Sequence, residues 1–142
     1  MRAERKDAEA LAELVGIVWP EHSPEALRDI LEEYMDGKDS AVFAEKDEDR
    51  FAGVALACLR HDYVEGCDTS PVGYLEGIAV RQDCRGTGVA RRLTEECEQW
   101  ARDRGCTEFA SDCELTNTAS LKFHLSLGFE ETNRIIHFRK DL

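Results

Sequence analysis

The chain has 142 residues, with 18 Lys plus Arg against 30 Asp plus Glu and a net charge of −12. That length suits one domain over 1–142, and 42% hydrophobic with 34% charged residues is the make-up of a folded globular chain, not a disordered one. The acidic balance speaks against a nucleic-acid partner, no run of 18 apolar residues offers a membrane span, and "MRAERKDAEA" lacks the apolar stretch of a signal peptide, so the expected location is cytoplasmic.

Along the chain, Ala8, Leu11, Ala12, Val15 and Val18 recur at helical spacing and predict a helix over 6–18. A second helix starts with Ser23 as cap and Pro24 in its first position. It buries Leu27, Ile30, Leu31 and Tyr34 and stops at Gly37. "SAVFAEK", the turn "DEDR" and "RFAGVALACLR" read as a hairpin, 62–73 as a loop, and "YLEGIAV" (74–80) as a strand. A helix over 88–104 carries Val89, Leu93, Cys97, Trp100 and Ala101 on one face, and Gly105 ends it. "CTEFASDC" (106–113) is a strand, and 117–128 a short helix capped by Asn117 and closed by Gly128. The last segment, "FEETNRIIHFRKDL", reads as a hairpin-like pair of strands, with "RIIHFRK" at a sheet edge or a subunit interface. The order is (β)ααβββαβαββ, the first strand being residues 1–4. Helices interleaved with strands around a mixed central sheet make the class α/β (α+β).

The stretch "DCRGTGVARRL" from Asp83 joins a strand to a helix. Backbone N–H groups at a helix start, with the helix dipole, favour an anion. Gly86 and Gly88 remove the Cβ atoms that would hold a phosphate off the backbone. The expected ligand is a phosphate or pyrophosphate, with charge available from Arg85, Arg91 and Arg92. The dinucleotide fingerprint fails at Arg91, and no Walker-type loop is present. Six cysteines (58, 67, 84, 97, 106, 113) include no C-x-x-C pair and no zinc-site spacing, so free thiols and no metal are expected.

The pattern [R/Q]-x-x-G-x-[G/A], here Arg85, Gly86, Thr87, Gly88, Val89 and Ala90, resembles the coenzyme A pyrophosphate loop of the GNAT superfamily of N-acetyltransferases. The second half of that superfamily's core, N-x-x-A-x-x-x-Y-x-x-x-G-F, is matched by Asn117, Ser120, His124, Gly128 and Phe129, with histidine at the tyrosine's place. "VWPEHSPEAL", "LRHDYVEGCDTSPVGYLEGIAV" and "CTEFASDCELTN" look like the branch of aminoglycoside 6′-N-acetyltransferases, in which histidine is also seen at that place. The resemblance implies acetyl transfer from acetyl-coenzyme A to the 6′-amine of an aminoglycoside, and a homodimer. The charge of −12 agrees with a polycationic acceptor, though it serves solubility equally.

Under that resemblance, residues 85–90 and Asn117 bind the coenzyme. The strand holding Ile78 and Val80 splays from strand 106–112, so that the pantetheine arm pairs with its amides, while both side chains sit in the core. The amide near Ile78 holds the thioester oxygen. Glu76, mid-strand, orients the acceptor or takes its proton through water, since an ammonium must be deprotonated before it attacks. Asp112 binds the reactive amine, and His124 protonates the departing thiolate or hydrogen-bonds the sulfur. Trp19, Glu21, His22, Tyr63 and Glu65 line the acceptor wall, with Asp62 beside them. Each also has a structural reading: Trp19 as a staple for the second helix, Asp112 as a loop cap, the charges as solvated surface. Two alternatives are an acetyltransferase for another amine (a polyamine, an amino-sugar, a protein amine) and a non-catalytic coenzyme A sensor.

Overall fold

The computed structural model describes residues 1–142. A turn of 3-10 helix (Arg5–Asp7) leads into α1 (Ala8–Val15), followed by α2 (Pro24–Asp36), β1 (Ser40–Asp47), β2 (Arg50–Arg60) and β3 (Val72–Val80). A second 3-10 turn (Gln82–Cys84) precedes α3 (Val89–Asp103), β4 (Phe109–Ser111) and α4 (Thr118–Ser126). The strands lie in the order β1-β2-β3-β4, antiparallel except for the parallel β3–β4 pair. Residues 1–3 run antiparallel to β1: Arg2 bridges Phe43, the Ala3 amide donates to the Val42 carbonyl, and the Ala44 amide to that of Met1.

The period-2 alternation of β2 divides the core in two. Val54 and Leu56 face α1 and α2, packing with Leu11, Leu14, Leu27 and Leu31, each at most 2% exposed. Ala55 and Ala57 face the other way, toward Leu93, Cys97, Trp100 and Ala101 of α3. Burying each large aliphatic side chain in these layers contributes about 1.5–3 kcal/mol. The α2 start is as the sequence predicts: Ser23 Oγ accepts from the Ala26 amide at 3.2 Å, with Pro24 in the first turn. The six thiols are free, three of them buried.

Four expectations need correction. The first helix ends at Val15 instead of 18, leaving Val18 38% exposed. Past Gly16 the chain turns so that Trp19 reaches the sheet. β3 begins at Val72, because Gly73 tolerates the close approach of Ala101 and Phe109, which a Cβ there would meet at 2.6 and 2.7 Å. β4 is only Phe109–Ser111, paired with Gly73–Leu75. Residues 129–142 form no strand pair; they carry no regular structure, and Ile135, Ile136 and Phe138 are 56%, 80% and 90% exposed. Their pattern is that of strands, but a strand forms only against an edge, and within one chain this segment meets none.

The register between β2 and β3 slips once. Leu56 pairs with Gly77 and Ala57 with Leu75, so Glu76 is an extra residue with no counterpart, a β-bulge. Strict alternation from Ile78 and Val80, which pack on the α3 side, would send Glu76 to that side too. The bulge turns it to the opposite face, beside Cys58 and Arg60 of β2.

Candidate active site

At the C-terminal end of β3 the chain makes the glycine turn. Gly86 and Gly88 have φ of +77° and +86°, a region where side chains with a Cβ are strained. A Cβ on Gly86 would have nothing within 4 Å, so this face of the turn is open. The N–H groups of Gly86, Thr87, Gly88, Val89 and Ala90 have no hydrogen-bond acceptor in the protein; the first helical bond runs from the Arg92 amide to the Gly88 carbonyl. Free donors in a row at the start of a 15-residue helix fit a pyrophosphate, such as that of coenzyme A. The arginines contribute less than the sequence suggests. Arg85 Nε donates to the Val80 carbonyl at 3.2 Å, and Arg91 to the Ser126 carbonyl at 3.1 Å. Arg92 forks onto Glu45 at 2.6 and 3.1 Å. Thr87 Oγ1 turns inward to the Cys84 carbonyl.

Strands β3 and β4 part after Leu75 and Ser111, so residues 76–80 of β3 have no strand on that side. This is the expected splay. Val80 is buried and Ile78 half-buried, both packed toward α3. On the opposite face Trp19 lies against β3. A Cβ on Gly77 would come within 3.2 Å of its ring, so the glycine permits that approach.

Around the opening stands a network that the sequence reading missed. Glu76 Oε1 accepts from Arg60 Nε at 3.0 Å, Arg60 Nη2 at 2.7 Å and Cys58 Sγ at 3.1 Å. The Arg60 guanidinium stacks 3.4 Å over the Tyr74 ring, and the Tyr74 hydroxyl donates to Asp112. Glu76 and Asp112 are thus joined through one cation and one phenol. Burial, then the Glu76 hydrogen bond, pushes the Cys58 thiol up to about 12. Burial and the bond to Asp112 likewise raise the Tyr74 phenol. Both therefore stay protonated donors at neutral pH. For Arg60, burial opposes the charge, but the contacts with Glu76 outweigh it and strengthen its hold on the proton. The bulge and the bonding pattern of Arg60 and Tyr74 leave no mark in a single sequence; alternation around "YLEGI" was the one available signal.

His124 half-emerges from α4. Its Nδ1 lies 2.7 Å from the Ser120 carbonyl and its Nε2 2.8 Å from Ser111 Oγ, with Phe123 and Phe129 against the ring. Asn117 caps α4, accepting from the Ser120 amide at 3.1 Å, so its side-chain oxygen is already engaged. Of the proposed acceptor wall, only Trp19 is brought onto β3. Glu21 and His22 face each other at 3.7 Å, and His22 lines an open cleft of about 670 Å³ between α1 and α2. Tyr63 and Glu65 bond each other, and Glu65 also accepts from Asn133 at 2.9 Å. Their loop is pinned by Glu108, which accepts from the amides of Asp68 and Thr69.

An anion site of main-chain donors and a carboxylate cluster thus flank one opening in the sheet, the layout of a group-transfer enzyme. Residues 8–129 match the Acetyltransferase (GNAT) family. Among characterised relatives, an aminoglycoside N(6′)-acetyltransferase type 1 of Salmonella typhimurium is 44% identical over 123 residues, 87% of this chain and 85% of that protein. One from Serratia marcescens is 40% identical over 126 residues, 88% and 86% of the two chains. Among solved structures, aminoglycoside N-acetyltransferase AAC(6′)-Iy in complex with CoA superposes with a TM-score of 0.95 at 40% identity, covering 99% of this chain and 93% of that one. The same enzyme with the bisubstrate analogue CoA-S-monomethyl-acetylneamine gives 0.94 at 39% identity, covering 100% and 97%. The chain belongs to the GNAT acetyltransferase family.

Proposed function

We propose that this protein transfers acetyl from acetyl-coenzyme A to the 6′-amino group of aminoglycoside antibiotics by direct attack in a ternary complex, and that this confers resistance. The observation that carries the reading is the parting of β3 from β4 between the free-amide turn and the Glu76–Asp112 pair. The relatives named for this activity, and the neighbour bound to a conjugate of coenzyme A with an acetylated aminoglycoside, support it. Acetyl-coenzyme A supplies a thioester carbonyl, whose oxygen an amide of the free β3 edge near Ile78 would hold. Gly86, Thr87, Gly88, Val89 and Ala90 bind its pyrophosphate through their amides, with Arg85 and Asn117 nearby. Glu76 and Asp112 bind the cationic acceptor, whose ammonium competes with Arg60 for Glu76 Oε1, and Glu76 takes the amine's proton directly or through water. Trp19 forms one wall, with Glu21, His22, Tyr63 and Glu65 further out. Holding amine and thioester together supplies much of the rate without a covalent enzyme intermediate.

Residues 129–142, with their exposed Ile135, Ile136 and Phe138, support a homodimer in which this segment pairs with the second copy. Because the donor is a cytoplasmic metabolite, the enzyme acts in the cytoplasm as one domain over 1–142. The test is thiol release from acetyl-coenzyme A with kanamycin and with relatives bearing a 6′-hydroxyl. Turnover with the first alone supports 6′-acetylation. No turnover with any aminoglycoside, but rapid turnover with spermidine, would move the activity to another amine. Light scattering of the full chain and of a chain ending at residue 128 tests the dimer, the shorter form being expected as a monomer.

A further inference from the structure

The hydrogen bonds at the β3–β4 junction pose a counting problem. Three links run in series: His124 Nδ1 to the Ser120 carbonyl at 2.7 Å, His124 Nε2 to Ser111 Oγ at 2.8 Å, and Ser111 Oγ to the Leu75 carbonyl at 3.0 Å. Both ends are carbonyls, which only accept. The Ser120 hydroxyl also stands 3.3 Å from Nδ1, but a bare Nδ1 would set its lone pair against the carbonyl oxygen at the shorter 2.7 Å, so Nδ1 carries a proton, and Ser111 directs its own toward Leu75. The middle link then needs a proton on Nε2 as well. A neutral imidazole and a serine hold two protons for three links, whereas an imidazolium and a serine hold three. The arrangement is complete only with the ring charged. With the ring neutral, Ser111 turns its proton to Nε2 and releases Leu75.

The position of Ser111 matters as much as its partners. It is the last residue of β4 paired with β3, opposite Leu75, so its hydroxyl stands where the sheet opens. His124 lies behind it, its Nε2 already occupied by that hydroxyl. An acid acting from His124 at the opening has to act through Ser111.

We propose that Ser111 is a further catalytic group of the acetyl transfer, its hydroxyl carrying the proton of His124 to the departing thiolate. The inference rests on the acetyltransferase reading above. As the amine nitrogen bonds to the thioester carbon, the C–S bond breaks and its electron pair goes to sulfur. Sulfur takes the Ser111 Oγ proton, and Ser111 takes the Nε2 proton of the imidazolium. The products are the amide, the free thiol and neutral His124, still donating from Nδ1 to Ser120. The proton shed by the amine passes to Glu76 or solvent, and solvent recharges the imidazole. No charged side chain bonds the ring. Asp112, beyond β4, is engaged by Tyr74; Glu76 of β3 by Arg60 and Cys58; Arg91 of α3 by the Ser126 carbonyl; and Lys122 of α4 makes no bond to it.

The test compares the wild type with Ser111→Ala, Ser111→Thr, His124→Gln and the double variant, using whichever amine the thiol-release assay accepts. Under single-turnover conditions, so that product release does not mask chemistry, Ser111→Ala should slow transfer about 100-fold. Coenzyme A affinity by calorimetry should stay unchanged, and Ser111→Thr should recover most of the rate. The double variant should be no slower than the slower single one, because the two groups form one relay. Rates in mixtures of H2O and D2O should curve in the wild type, reporting two protons in flight, and be linear in Ser111→Ala. Independently of activity, the ring-nitrogen NMR spectrum of ligand-free protein should report the Nε2 hydrogen bond to Ser111 in the wild type and its loss in Ser111→Ala. Unchanged transfer in Ser111→Ala, additive losses, or identical ring spectra would overturn the proposal. A wild type inactive toward every aminoglycoside would sink the antibiotic reading instead, leaving the spectral test of the relay standing.

Discussion

The two ends of the β3–β4 opening are made of different material. The proposed donor end is main chain: amides left free around two left-handed glycines at the start of α3, with nearby arginines mostly tied to carbonyls and Glu45. The proposed acceptor end is side chain: Glu76 and Asp112, linked by Arg60 and Tyr74. A backbone site tolerates changes of side-chain charge but not of conformation, while a carboxylate site behaves the opposite way. The field of the whole chain separates them further, since a net charge of −12 attracts a polycation and repels the phosphates of coenzyme A. The donor site therefore depends on short-range geometry, and the acceptor site gains from long-range charge.

That contrast can be broken by experiment. The largest effect is expected from Glu76→Gln, which keeps the shape and removes the charge. The acceptor kcat/KM should drop about 10²–10³-fold with the coenzyme A Kd unchanged, as kinetics and calorimetry on one preparation will show. Next comes Gly88→Val, which places a β-branched residue at φ +86° with its Cβ within 2.6 Å of Arg92 Nη1. Strain of about 2–3 kcal/mol should weaken coenzyme A binding about 100-fold, and circular dichroism will establish that the fold persists. If Gly88→Val bound coenzyme A normally, the main-chain cradle would be wrong.

Salt should act on one end only. Raising it from about 0.05 to 0.5 M shortens the screening length severalfold, so the aminoglycoside KM should rise roughly three- to tenfold while the coenzyme A Kd stays level or tightens. Equal weakening of both would remove the distinction. Arg60→Gln sharpens it further: with its internal partner gone, Glu76 is open to the ammonium, and the acceptor KM should fall severalfold with donor binding unaffected. The smallest effect concerns stability. The Cys58 thiol is raised from 9.0 to about 12 by burial and the Glu76 hydrogen bond, so the unfolded chain loses this proton first. That contribution is whole below pH 9 and disappears as pH climbs toward 12. The melting temperature should decline from pH 8 to 10.5 less steeply in Cys58→Ala than in the wild type.

Much of this protein was legible before any fold was known, because the features concerned are local. The Ser23–Pro24 start of α2, the α3 stripe and the Gly86–Gly88 turn depend on neighbours a few residues away, and each formed as expected. The spacing of Asn117, His124 and Gly128 placed α4 with its cap, and Glu76, Asp112 and His124 were visible as candidates. The missed features are pairings across long separations. "RIIHFRK" has a strand's alternation, but its own chain offers it no edge. "CTEFASDC" contributes three residues because β3 and β4 part after Leu75.

The sequence alone determined the order of most elements, the Gly86–Gly88 turn and the acidic character, since each is written in neighbouring residues or in the sum of charges. Tertiary structure decided which residues serve the opening. A one-residue bulge, set by pairing with β2, re-aims Glu76 at Arg60, and the end of the β3–β4 pairing puts Ser111 between Leu75 and His124. Strand register is a cooperative property of two distant segments, and no short window of either contains it.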